Sequence, residues 1–323
     1  MHYRKFGRTG VDVSDMAYGL WGMSGWSGSD DEQSRKALQL AVDLGCNFFD
    51  TAWAYGDGKS DSLLGEIIAN NKSKAVFAAS KIPPKNERWP ALPSYKYRDV
   101  FPPDHVFKYA DRIRKNLGTD SIDLLQFHVW TDNWTDDPDF RNTVEKLKQD
   151  GTIRYFGLSL NRWEPENGIK AIRTGLVDAV QVIYSIFDQS PEDELFPLCQ
   201  ELNIGVIVRV ALDEGSLSGK MTRETKFPKD DWRSGYFNPK NLANTMDRVD
   251  KLKTILPAGM SLPEMALRFT LSHPAVSTVI VGMRKLEHVR ENMALSDKGA
   301  LSPALLKELK NHRWNRKPAP WSD

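Results

Sequence analysis

Short apolar runs alternate with amphipathic stretches along most of this 323-residue chain. Eight runs read as strands. They are "VSDMAYGL" near Val13, "NFFDTA" at Asn47, "AVFAASK" at Ala75, "SIDLLQFH" at Ser121, "IRYFGLS" at Ile153, "AVQVIYS" at Ala179, "IGVIVRV" at Ile204 and "VSTVIVG" at Val276. Each is nearly continuous in its hydrophobicity, as strands buried on both faces of a parallel sheet should be. Helical spacing fills the gaps. Val106, Ala110, Ile113 and Leu117 form one apolar stripe, with Asp104 as the expected N-cap and Gly118 as the stop. Ser190 and Pro191 signal the start of a helix carrying Leu195, Leu198 and Leu202. Ser261 and Glu264 have capping-box spacing ahead of Ala266 and Phe269. Gly45, Gly151 and Gly175 each end a helix just before a strand. Eight such repeats with short connections predict an α/β fold, a (β/α)8 TIM barrel spanning residues 1–323 as one domain. An open doubly wound sheet is the alternative.

Two segments break the rhythm. Arg8-Thr9-Gly10 lies between extended pieces and predicts a short hairpin ahead of the barrel. The stretch from Asp213 to about Pro239 is long, polar and rich in Gly, Lys and aromatics, so a long loop after strand seven is expected. Loops of that length in compact domains are usually functional or disordered.

Charge and composition narrow the partners. With 44 basic and 43 acidic residues the chain has no general field for polyanions, and no nucleic-acid partner is expected. Cys46 and Cys199 lack the spacing of a zinc site or a disulfide framework and read as small buried hydrophobes. No metal is expected. The polar start "MHYRKFGRTG" does not resemble a signal peptide, and no run approaches the ~18 apolar residues of a membrane span. The cytoplasm is therefore the expected location, with no membrane partner.

In a barrel of this kind the chemistry lies at the carboxyl ends of the strands. The second strand ends in Asp50, with Tyr55 in the turn after it. The third ends in Lys81, and the fourth in His128 followed by Trp130. Ser159 and Asn161 follow at the fifth, and Gln181 lies on the sixth. Singly, each has an ordinary reading as a cap, an ion-pair partner or a packing residue. Together they suit proton delivery. A phenol with a pKa of about 10 is a poor acid near neutrality. A neighbouring ammonium favours phenolate, and a carboxylate holds that ammonium charged and in place. A histidine orients the electrophile or shares the proton.

These residues resemble the aldo-keto reductase superfamily over nearly the whole chain. "DTAWAYGDGKSDSLLGE" is similar to that family's second-strand motif, and "ASK" and "LLQFH" are similar to its lysine and histidine positions. The resemblance implies catalytic roles for Asp50, Tyr55, Lys81 and His128, with hydride passing from NADPH to a small-molecule carbonyl. It implies carboxamide contacts from Ser159, Asn161 and Gln181, although Leu160 interrupts the family's adjacent Ser-Asn. "ALDEGSLSGK" resembles the pyrophosphate loop, through Leu212, Gly215, Ser216 and Lys220. "VGMRKLEHVRENMAL" resembles the 2′-phosphate segment, through Gly282, Arg284, His288, Glu291 and Asn292, which share one helix face if the helix begins near Arg284. Arg209 stands where many members stack an aromatic on the nicotinamide. Trp21, Trp53 and Trp130 are expected at the mouth, Trp21 beside the cofactor and the other two beside the substrate. No G-x-G-x-x-G fingerprint of a Rossmann module occurs near the start of the chain.

The expected function is thus NADP-dependent reduction of an aldehyde or ketone, a sugar included. Two alternatives stand beside it: a cofactor-binding regulatory protein on the same scaffold, like potassium-channel β-subunits, and a metal-dependent barrel enzyme. The oligomeric state and the preferred direction of reaction are not legible.

Overall fold

The apolar runs become strands because β-branched and aromatic residues in them pack on both faces. In the computed structural model, which describes residues 1–23, 25, 28–229 and 231–316, ten strands form. Strands β1 (Tyr3–Lys5) and β2 (Asp12–Ser14) pair antiparallel around the turn at Gly10, the expected hairpin. The other eight are β3 (Met16–Gly19), β4 (Phe48–Asp50), β5 (Phe77–Ile82), β6 (Ile122–Phe127), β7 (Ile153–Ser159), β8 (Ala179–Ile183), β9 (Gly205–Arg209) and β10 (Thr278–Gly282). They close in the order β10-β3-β4-β5-β6-β7-β8-β9, all parallel, so the open-sheet alternative falls. The run "VSDMAYGL" divides at Asp15, its first part joining the hairpin and its second the barrel.

Alternation along the strands sorts the barrel interior by depth. One end holds Phe6, Val13, Ala17, Phe48, Phe77, Leu124, Ala179 and Ile207 in a single apolar cluster. Phe6 comes from beyond β1 and packs its ring on Phe48 and Phe77, with centroids 5.4 and 5.6 Å apart. Gly205 makes room for it, since a Cβ there would lie 2.7 Å from the Phe6 ring. The hairpin therefore plugs the end opposite to the strand carboxyl termini.

Helix boundaries follow the local signals with two adjustments. The helix Pro103–Leu117 starts after Pro102 and has Pro103 at its first position, so Asp104 sits in its first turn and is not the cap. Proline presets the helical φ there, and a first-turn carboxylate still favours the helix dipole. Gly118 ends this helix in a left-handed conformation, as expected. Ser190–Pro191 opens a 3-10 turn (Ser190–Glu192), and the helix proper runs Leu195–Glu201. Ser261 caps Leu262–Leu271 by accepting from the Glu264 amide, while the Glu264 carboxylate turns to Arg268 and Lys298. The segment expected as a loop after β9 carries a 3-10 stretch (Asp213–Ser218) and a short helix (Arg233–Tyr236) before the helix Pro239–Thr254. Cys46 and Cys199 are buried free thiols. No helix among the described residues is long and apolar enough to cross a membrane.

Candidate active site

At the carboxyl end of the barrel the inward positions turn from apolar to polar. Asp50 ends β4, and parallel pairing sets it beside Ala79, one inward position below Lys81 on β5. The Lys81 ammonium, with no exposed surface, donates to Asp50 Oδ2 at 2.6 Å and to the Thr51 carbonyl at 2.8 Å. Gln181 reaches across from β8 and donates to Asp50 Oδ1 at 2.7 Å, so both carboxylate oxygens are engaged. A buried lysine is tolerated only when paired in this way. Burial works against the ammonium, yet the charges of Asp50 and Tyr55, and the hydrogen bonds to them, outweigh it and hold Lys81 above its ordinary pKa.

The turn after β4 brings Tyr55 over this pair. Gly56, Asp57 and Gly58 all have positive φ, which reverses the chain within a few residues and explains the glycines flanking the tyrosine. Lys81 Nζ lies 5.2 Å from the Tyr55 ring centroid. The His128 ring meets Tyr55 edge-on, with centroids 5.7 Å apart. All four residues expected to carry the chemistry are thus adjacent. Their electrostatics differ from the expectation at one point. Burial pushes the Tyr55 phenol above its ordinary value, and the lowering by Lys81 does not overcome it. The phenol accordingly holds its proton at neutral pH. His128 lies well below its ordinary value, through burial first and then the positive charges of Lys81 and Arg209, so its ring is neutral.

Arg209 ends β9 beside this group and donates to the Leu160 carbonyl at 3.0 Å. Burial lowers its pKa to about 10, which leaves it charged. The Arg209 Nε and His128 Nδ1 atoms are buried with no hydrogen-bond partner among the described residues. They are the groups a polar ligand at this mouth would satisfy.

The remaining expected residues divide. Ser159 and Gln181 are neighbours in register on β7 and β8. Asn161 is not available as expected: its amide donates to the Ala91 carbonyl and the Glu164 carboxylate, both at 2.9 Å, and so ties down the segment after β5. The Ser216 hydroxyl is held by Asp213, and the Gly215 N–H donates to the Leu212 carbonyl at 2.9 Å, so both are engaged within the turn. Lys220 Nζ and His288 Nε2, from separate segments, approach to 3.1 Å, the ammonium donating to a neutral imidazole. Gly282 ends β10, and a Cβ there would meet nothing within 4 Å. Arg284 precedes its helix (Leu286–Met293), because Lys285 is still extended, so it does not share a helix face with His288 and Asn292. Its side chain instead lies against Gly22, where a Cβ would come within 3.3 Å of it. Burial and then the Lys220 charge hold His288 below its ordinary pKa, against the nearby carboxylates of Glu287 and Glu291.

The tryptophans expected at the mouth take three different places. Trp130 is fully buried, its ring packed on Phe140 (4.7 Å) and Trp134 (5.6 Å), so it belongs to the core and not to the mouth. Trp53 leans outwards against Tyr109 and Arg112 of a flanking helix. Trp21 is exposed in the turn after β3. The aromatic that does meet the chemistry is Trp89, 45% exposed, with its ring edge-on to His128 at 5.8 Å. A tryptophan among prolines and charges in "NERWPALPS" was the available signal. Gln126 also went unread; it is buried, and neither amide atom has a partner among the described residues. Among those residues no group of three or more His, Cys, Asp or Glu is arranged to hold a metal ion.

Comparison with known proteins bears on this arrangement. The profile of the aldo/keto reductase family matches residues 15–313. A Bacillus subtilis protein named uncharacterized oxidoreductase YqkF is 28% identical over 97% of this chain and 96% of its own length. The Schizosaccharomyces pombe aldo-keto reductase yakc (NADP+) is 28% identical over 95% of this chain and 90% of its own. The holo structure of aldo-keto reductase AKR11C1 from Bacillus halodurans superposes with a TM-score of 0.79 at 25% identity, covering 100% of both chains. Other relatives are named as an NADH-specific methylglyoxal reductase of Escherichia coli (26%; 89% of this chain, 91% of that one) and a probable voltage-gated potassium channel subunit beta of Oryza sativa (28%; 92% of each). The chain belongs to the aldo/keto reductase family of oxidoreductases.

Proposed function

We propose that this protein reduces an aldehyde or ketone, sugars included, to an alcohol with NADPH as reductant and Tyr55 as general acid. The observation that carries the reading is the buried Asp50–Lys81 pair, 2.6 Å apart, set beneath a protonated Tyr55 and a neutral His128. The bound, reduced nicotinamide supplies the hydride. Tyr55 keeps its proton until a carbonyl oxygen arrives, and transfers it as negative charge develops there. The Lys81 ammonium then stabilises the phenolate left behind, and Asp50 and Gln181 hold that ammonium in place. His128, being neutral, orients the carbonyl oxygen by a hydrogen bond and does not compete as the acid. Ser159 and Gln181 suit the carboxamide, and the backbone of residues 212–216 suits the pyrophosphate. Lys220, His288 and Arg284 favour the 2′-phosphate of NADPH over its absence in NADH.

The test is NADPH oxidation followed against a panel of aldehydes, ketones and sugars. Turnover with a member of the panel is expected. A cofactor-binding regulatory role is the second reading, supported by the channel-subunit name of one relative. Tight NADPH binding without turnover on any member would favour it.

A further inference from the structure

The turn after β9 is built from residues that resist its shape. Val210, Asp213 and Glu214 all have positive φ (59°, 47° and 55°), and only Gly215 (104°) is suited to that region. A β-branched residue there is a genuine outlier. Such conformations persist only where the surroundings over-determine them, and they gather at ligand clamps. Here the surroundings are two arginines from elsewhere in the chain. Arg316, near the carboxyl end, donates to Asp213 Oδ1 at 2.5 Å, and the other Asp213 oxygen accepts from Ser216. Arg162, from the segment after β7, donates to Glu214 Oε1 at 2.7 Å. Consecutive left-handed residues are thus each held by their own guanidinium.

The Arg316 arm is a built site rather than a surface ion pair. Its side chain is 5% exposed and lies 3.3 Å from Asp188 Oδ2 as well as against Asp213. It also bonds the Tyr236 hydroxyl and stacks over Trp314 at 4.4 Å. Arg162 lies over the rings of Trp232 and Tyr236, so the same aromatic group backs both guanidinium ions. Among the described residues the charged and titratable groups around Arg316 are Asp188, Asp213, Tyr236 and Arg248, and the two carboxylates outweigh burial in keeping it charged.

We propose that Arg316 and Arg162 are positioning residues that clasp the turn 213–215 in its left-handed form, so that the carboxyl-terminal segment sets the affinity of the dinucleotide loop. The cofactor half of this inference rests on the reading of residues 212–220 as the pyrophosphate loop. Neither arginine need touch the dinucleotide. Loss of the clasp lets the turn relax, and binding must then order it again.

The pyrophosphate is common to NADPH and NADH, so Arg316→Ala should weaken both equally, by roughly tenfold, within the range usual for coupled sites. Titration of each dinucleotide by tryptophan fluorescence, with parent and variant side by side, reads this. Arg162→Gln cuts the other arm without stranding Asp188, and serves if the first variant folds poorly. Amide hydrogen exchange of residues 214–218, with no dinucleotide present, should be faster in either variant. In the parent, adding NADPH should slow exchange at residues 313–316, because coupling is reciprocal. Unchanged affinities and unchanged loop exchange, in a variant with a lower thermal midpoint, would reduce the clasp to a plain structural staple and overturn the proposal. A parent that binds neither dinucleotide overturns the functional reading and the cofactor half together; the exchange experiment then decides the loop half by itself.

Discussion

Tyr55 and Asp61 are both acids near one lysine, the first half-buried and the second fully buried, and their expected behaviours separate catalysis from stability. Tyr55→Phe removes only the transferable proton. General-acid catalysis contributes roughly 10²–10⁴-fold, so turnover should fall by about that factor while NADPH affinity stays near the parent value. Near-parental turnover would remove Tyr55 from the role of acid. Asp61, in the helix Lys59–Asn70, accepts from the Ser80 hydroxyl at 2.9 Å and has no exposed surface. Burial, opposed by Ser80, Thr51 and the Lys81 charge, pushes its pKa up to about 7. A carboxyl raised in the folded state contributes stability fully present below its unfolded pKa and lost as pH rises through the folded one. Asp61→Asn has no such loss. Chemical denaturation should find the variant and parent similar at acid pH and the variant more stable above neutrality, by on the order of 1–3 kcal/mol. A difference independent of pH would show that Asp61 does not titrate in this range.

On the proposed reading, the end of β10 and the helix Leu286–Met293 carry the choice of dinucleotide. Arg284 reaches across to the turn after β3, whereas Lys220 and His288 meet each other. Hydrogen bonds to charged groups contribute about 1.5–3 kcal/mol, so Arg284→Ala should weaken NADPH binding roughly 10- to 150-fold and leave NADH nearly unchanged. Equal losses would make Arg284 a structural residue of the mouth, and a parent that prefers NADH would overturn the NADP reading. Strands and their polar ends were legible because each signal is local: an apolar run, then Asp50, Lys81 or His128. What escaped depends on contacts far apart in sequence. Trp130 is the nearer case, enclosed by Trp134 and Phe140 only four and ten residues on. Nothing near Arg316 points to Asp213, 103 residues away. The tie of Asn161 to Ala91, 70 residues earlier, escaped for the same reason. The Arg284 geometry failed on a shorter range, where two residues of helix onset decide the face.

The barrel as a whole is held at one end by a plug that takes no part in the chemistry. Phe6 is fully buried between Phe48 and Phe77 and is accommodated by Gly205. Phe6→Ala leaves a cavity there and should cost about 3–5 kcal/mol of stability, read from urea unfolding. The Asp50–Lys81 pair lies at the opposite end, so turnover at low temperature should survive. Loss of activity in proportion to stability would mean that the plug also sets the geometry of the site.

That seal also dictates the order in which molecules come and go. With the floor closed by Phe6, the proposed function has a nicotinamide near Arg209 and a carbonyl near Trp89 pass through the same doorway, the deeper guest first. Kinetics should therefore be compulsory-order: dinucleotide on before carbonyl, alcohol off before oxidised dinucleotide. Product inhibition reads this directly. Oxidised dinucleotide should compete with the reduced form and be noncompetitive against the carbonyl, and a carbonyl that binds ahead of the dinucleotide would overturn this order.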